Sequence, residues 1–236
     1  MIENKKKGNE QPIPISVLKD GILDYIETGK INKDDLLNKV KEFHKGENRA
    51  RKALNAICST ITNSSALNKA LKKNYTIESF SKLSEQEKNL ICMALICLRF
   101  PFNYDILFAF SKLFNIQDSV NKQYITDTLA SKFGSNLSLE HAIAASLKNL
   151  VDTKIITSIK RGLYGKAEPV EVCDFIKEAW IYTWFELNGR KKIAVDDLRY
   201  EPFINYLINT DIDWENTKIL QIKKDFCNQT WIEKVK

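Results

Sequence analysis

Glycine and proline are scarce in this 236-residue chain, at eight and five residues. An all-β plan needs many tight turns, so the scarcity argues for helices. Histidine is scarcer still, at His44 and His141, and none of the five cysteines (Cys58, Cys92, Cys97, Cys173, Cys227) falls in a C-x-x-C pair. A zinc site therefore has little to build on, and an odd cysteine count speaks against a disulfide framework. Neither G-x-x-x-x-G-K-[ST] nor G-x-G-x-x-G occurs, which removes the two common backbone cradles for phosphate. The N-terminal stretch MIENKKKGNEQPIPIS has no apolar core of signal-peptide length. The longest apolar run, residues 90–98, is far short of the roughly 20 residues of a membrane helix. These absences lead us to expect a cytoplasmic protein with no membrane contact, no cofactor and no metal.

What is plentiful is apolar residues, 44% of the chain, enough for a sizeable core. Lysine and arginine number 36 against 30 acids, a formal charge of +6. That balance suits nucleic acid or an acidic partner but also an ordinary lysine-rich protein, so the placement of the charge matters more than its sum.

Residues 1–12 read as a solvated, disordered leader. Helical spacing begins at Ile15 and stops at Gly29, and a second helix follows Asn32, with Asp34 and Asp35 in its first turn. A third runs from near Asn48, and Ser64 and Ser65 offer caps for a short one. Ser84 and Glu87 have the spacing of a capping box, and the apolar run behind them ends at Phe100-Pro101. Residues 13–100 thus form a helical bundle. Beyond Pro101, Asn103, Ser119 and Ser138 are read as caps of three helices, with a turn at residues 134–136. Ile155, Ile156 and Ile159 then alternate into Lys160-Arg161-Gly162, and the chain returns through Tyr164-Gly165-Lys166 as a β-hairpin, with Gly162 and Gly165 at its tip. From Asp174 the chain is helical again: residues 174–188 carry Phe175, Trp180, Trp184 and Phe185, a turn follows at residues 189–192, and further helices are expected near residues 202–209 and from about Trp214.

Three helices, a tight turn between the last two, and a strand–turn–strand resemble a winged helix-turn-helix over residues 101–173. The likeness rests on LASKFG (129–134), LKNLVDTKII (147–156) and RGLYGK (161–166). The whole layout, with the basic helix ENRARKALNAICSTI (47–61) ahead of that unit, also resembles the accessory protein A family of bacteriophage-exclusion (BREX) defence systems. That resemblance implies an antiviral accessory role beside larger enzymes. The expected architecture is mainly α: an N-terminal bundle, a central winged helix-turn-helix with a small hairpin wing, and a C-terminal helical subdomain over residues 174–236.

Catalytic patterns are thin. Ser-x-x-Lys at Ser16 and Ser79 lacks companion motifs, and Asp196-Asp197 and Asp211/Asp213 suit helix starts and caps better than a metal. We therefore read the protein as non-enzymatic. Binding candidates are more concrete. Residues 148–166 hold five cations (Lys148, Lys154, Lys160, Arg161, Lys166) against Asp152, and residues 39–52 hold six (Lys39, Lys41, Lys45, Arg49, Arg51, Lys52) against Glu42 and Glu47. In a winged helix the third helix enters the major groove while the wing meets phosphates. Ser138, His141, Lys148 and Asn149 are the outward candidates on that helix, beside Lys160, Arg161 and Lys166 in the wing and Arg49, Arg51 and Lys52 as an auxiliary patch. Poverty in arginine on the helix favours phosphate contact to double-stranded DNA over base readout. The bland reading of the wing is a solvated hairpin kept soluble by its lysines. The competing function is a protein–protein adaptor, docked through the winged helix and the aromatic helix 174–188 to a larger partner, such as other subunits of a defence complex.

Overall fold

A computed structural model of the protein describes residues 9, 11–62, 66–209 and 211–234. Most of the expected leader, and the caps expected at Ser64 and Ser65, lie outside these residues. Of the leader's described part, Asn9 is buried at 6% exposure.

Six helices come first: α1 (Ile15–Thr28), α2 (Lys33–Phe43), α3 (Glu47–Thr62), α4 (Ala66–Asn74), α5 (Ile77–Ser81) and α6 (Glu85–Arg99). Their ends are set by local chemistry. Gly29, at φ 74°, closes α1 in the left-handed conformation, and the Asn32 side chain accepts from Asp35 N to start α2. Ser84 and Glu87 form the reciprocal capping box of α6. Glu87 also reaches across the fold, its Oε1 accepting from Cys173 N at 3.0 Å. Residues 89–97 of α6 are buried without a break, the signature of a helix packed on every side. Among the described residues no single helix is long and apolar enough to cross a membrane.

The central stretch contains α7 (Pro101–Leu113), β1 (Ser119–Asn121), α8 (Lys122–Phe133), α9 (Leu137–Asp152), β2 (Ile156–Lys160) and β3 (Leu163–Lys166). Three caps fall elsewhere than expected. Pro101 occupies the first turn of α7, and Asn103 is buried inside it. Ser119 lies in a short strand, and Asn121 caps α8. Asn136 rather than Ser138 caps α9, accepting from Leu139 N at 2.9 Å. The three strands form an antiparallel sheet of order β1-β3-β2.

The C-terminal third is only partly helical, which corrects the all-helical expectation. The aromatic helix α10 (Asp174–Asn188) is present, and β4 (Lys192–Ala194), a 3-10 turn (Val195–Tyr200) and the one-turn α11 (Pro202–Asn205) follow it. In place of a last helix, a three-residue 3-10 turn (Trp214–Asn216) leads into β5 (Leu220–Lys224) and β6 (Thr230–Lys234), which with β4 make a second antiparallel sheet, β4-β6-β5. Alternation of Leu220 and Ile222 was the available signal. The protein is thus mostly helical with two small sheets.

These parts share one continuous core. Helix α10 lies along α6, and its Trp180 stacks on Phe203 of α11 at 4.8 Å between ring centroids. Glu178 on α10 is 1% exposed, and its carboxylate accepts the backbone amides of Lys218, Ile219 and Leu220 at 2.8–3.2 Å. Burial raises its pKa, and the three amides oppose that rise without cancelling it. The C-terminal sheet is therefore fastened to the core at the start of β5.

Candidate nucleic-acid interface

The β2–β3 hairpin turns at Gly162, whose φ of 78° suits glycine, with a register irregularity between Ser158 and Lys160. Gly165 has a different role from the one expected. It lies inside β3 opposite Thr157, where a Cβ would come within 2.6 Å of Thr157 Oγ1, so glycine there serves cross-strand fit. The basic residues also divide. Lys160 and Arg161 stand at the tip, whereas Lys166 pairs with Ile156 at the base, about 13 Å away at about 3.3 Å per strand residue. All three are exposed, and no carboxylate among the described residues lies within ion-pair distance of them.

The hairpin is held from both sides. Gly162 O accepts from Lys122 N at 2.8 Å, tying the tip to the start of α8. At the base, the buried Tyr206 hydroxyl donates to Ile155 O (2.8 Å) and accepts from Ala167 N (3.3 Å), while its ring stacks on Phe114. Burial pushes the Tyr206 phenol up to about 12, so it remains a donor. Tyr164 meets Phe110 edge to face and fixes the inner side of the sheet.

Along α9 the four candidates separate. His141 and Lys148 are exposed and Ser138 is half-buried, but Asn149 is fully buried. Its Oδ1 accepts from Ile13 N at 2.9 Å and its Nδ2 donates to Asn103 Oδ1 at 3.4 Å; Asn103 in turn donates to Asn9 Oδ1 at 3.1 Å. Asn149 is thus a structural clip joining the chain before α1 to α7 and α9, and is withdrawn as a DNA contact. Ala145 is buried beside it. One helical turn separates 142, 145/146 and 149, and all of them face inward.

Lys148 pairs with Asp152 at 2.6 Å and borders a groove of about 280 Å³ between α9 and the hairpin. Lys122, Ala144, Ser158 and Tyr164 also line that groove. Lys122 and Tyr164 were not singled out in the sequence; their shared position is created by the sheet.

The auxiliary patch stands apart from this groove. Arg49, Arg51 and Lys52 are exposed on α3, but Arg51 is held by Glu47 at 2.6 Å, and Lys52 borders a separate cleft with Asn9, Asn55 and Arg99. Lys39 is bridged between Asp20 and Asp35, and Lys45 precedes the helix. On α10 the aromatics Phe175, Trp180, Tyr182, Trp184 and Phe185 are all buried in the core, so they are not exposed for docking as the adaptor reading expected. Among the described residues no three His, Cys, Asp or Glu side chains are grouped as a metal site.

Compared with family models, curated proteins and solved structures, the chain gives no significant match.

Proposed function

We propose that the protein binds double-stranded DNA, mainly through phosphates, using its central unit as a winged helix. The order helix, strand, helix, helix, hairpin, with β3 between β1 and β2, supports this reading. So does the exposed face of α9, which carries His141, Ala144 and Lys148 beside the hairpin groove. The observation that carries the proposal is the hairpin tip, where Lys160 and Arg161 are exposed with no carboxylate among the described residues to neutralise them. Unpaired cations on a rigid protruding turn can release counterions from a phosphate backbone, whereas cations already held by carboxylates gain less. Ala144 at the centre of the helix face, and Glu140 near its start, disfavour strong base readout and favour binding with little sequence preference.

The biological setting proposed with this activity is that of an accessory subunit in a bacterial phage-defence system, working beside larger enzymes; its support is the layout of a basic helix ahead of the central unit.

The test is fluorescence anisotropy of a labelled random-sequence duplex from about 50 to 200 mM salt, a range over which several phosphate contacts cost orders of magnitude in affinity. The expected result is saturable binding that weakens steeply with salt and is lost in Lys160→Glu/Arg161→Glu. Absence of binding at the lowest salt removes the proposal.

A further inference from the structure

Lys148 borders two clefts. Besides the groove against the hairpin, it lines a larger one of about 820 Å³, walled by α1, the end of α2, the first turns of α6 and the link from α9 to β2. That volume falls within the range of small-ligand clefts, about 300–1,000 Å³. One wall carries an anomaly. Asn89 is only 4% exposed, yet its side-chain amide has no hydrogen-bond partner among the described residues. Its amide atoms are not enclosed by protein, so they stand open on the cleft as a donor beside an acceptor.

Two further features stand with it. Phe43 at the end of α2 keeps its ring 56% exposed on the cleft. Lys154 takes a left-handed backbone (φ 57°) and is exposed without a carboxylate partner among the described residues. The carboxylates of the cleft are each already held: Asp20 by Lys39, Glu85 by Lys19 and Asp152 by Lys148. An anion entering beside Lys154 therefore meets no free negative charge among them. An aromatic face, an amide offering a donor beside an acceptor, and an available ammonium match the three parts of a nucleotide: the stacked base, the base edge and the phosphate.

We infer that this cleft binds one nucleoside monophosphate unit, with its base on Phe43, the base edge on Asn89 and the phosphate on Lys154. The unit is either a free nucleotide or the unpaired end of a strand. The inference deepens the DNA-binding reading, because Lys148 joins the cleft to the hairpin groove, but the chemistry is that of the cleft's own residues.

The experiment is calorimetric titration of the full chain with the monophosphates of adenosine, guanosine, cytidine and thymidine. Saturable binding of at least one is expected, weakened tenfold or more in Phe43→Ala and in Asn89→Leu. The leucine variant separates binding from architecture. If Asn89 were only structural, replacing an unsatisfied amide by an apolar side chain of similar size would leave ligand response unchanged and hold or raise the thermal midpoint. Phe43 is exposed, so its variant stays folded and keeps the test open if Asn89→Leu fails to fold. A duplex with a single-stranded overhang that binds tighter than a blunt one, with the gain lost in Phe43→Ala, identifies the strand end as the source; equal binding of both duplexes identifies the free nucleotide. No saturation by any of the four at about 10 mM, where even a Kd of about 1 mM would be plain, overturns the site. Duplex binding that persists in that case leaves the hairpin reading intact, and nucleotide binding without duplex binding does the reverse.

Discussion

The two three-stranded sheets are close counterparts. Each is antiparallel with its last strand in the middle, and each has a hairpin turning on a positive-φ residue, Gly162 in β1-β3-β2 and Asn228 in β4-β6-β5. Both carry lysines, but most of those in the C-terminal sheet are partnered, Lys224 being the exception among its strand residues, whereas the central hairpin's cations are not. In the C-terminal sheet Lys223 is paired with Glu233 at 2.6 Å, Lys234 with Glu186 at 2.8 Å, and Lys192 sits 4.1 Å above the Trp231 ring. Asp225 closes its turn, held below the usual carboxylate range by the Trp231 indole and by the amides of Gln229 and Cys227. In the central sheet Lys160, Arg161 and Lys166 meet no such partners among the described residues. Lysine content alone therefore does not separate a sheet edge left charged from one whose charge is neutralised. The counter-charges do.

The largest expected effect attacks that difference directly. Lys160→Glu/Arg161→Glu should weaken duplex binding on the order of 100-fold at low salt and reduce the log–log salt slope by about 2. The matched reversal of two partnered cations in the other sheet, Lys223→Glu/Lys234→Glu, should change affinity less than about twofold; anisotropy on both variants decides. Next, Asn149→Ala should cost about 2 kcal/mol by orphaning Ile13 N and Asn103. In a chain of this size that is a thermal midpoint lower by roughly 4–8 °C, with duplex affinity preserved. A loss of affinity without a loss of stability would restore Asn149 as a contact.

Tyr206→Phe removes the bonds at the hairpin base and should cost about 1 kcal/mol. Hydrogen exchange should then quicken at Ala167 while the C-terminal sheet stays protected. The smallest effect concerns Glu87. Burial tends to raise its pKa, but the amides of Cys173 and Ser84 outweigh that and lower it below the usual carboxylate range. Its contribution is then present above the ordinary glutamate pKa and lost as pH falls through the lowered value. Glu87→Gln should cost about 1 kcal/mol at neutral pH, and denaturant titrations of wild type and variant should converge below about pH 4.

Much of the helical frame was legible in the sequence because its signals are local. Gly29, Asn32, the Ser84/Glu87 box and the Phe100-Pro101 break each act within four residues of the groups they satisfy. The hairpin too was legible, through Lys160-Arg161-Gly162 between alternating residues. The caps at Asn103, Ser119 and Ser138 were misplaced because each has a competing capping residue or a proline within two residues of it. Asn149 was misread because its partner, Ile13, is 136 residues away. Helix α10 offered no polar face to orient it, as Lys177 and Glu178 are themselves buried.

By itself, then, the sequence determined where most helices begin and end, that the protein is mostly helical, and that a basic turn follows residues 137–152. Those features rest on hydrogen bonds between near neighbours. Only the tertiary structure decided which cations stay unpaired, which side of α9 is buried, and that Lys148 stands between two clefts. These depend on surfaces brought together across the whole chain, and burial belongs to the pair of surfaces in contact rather than to either segment alone.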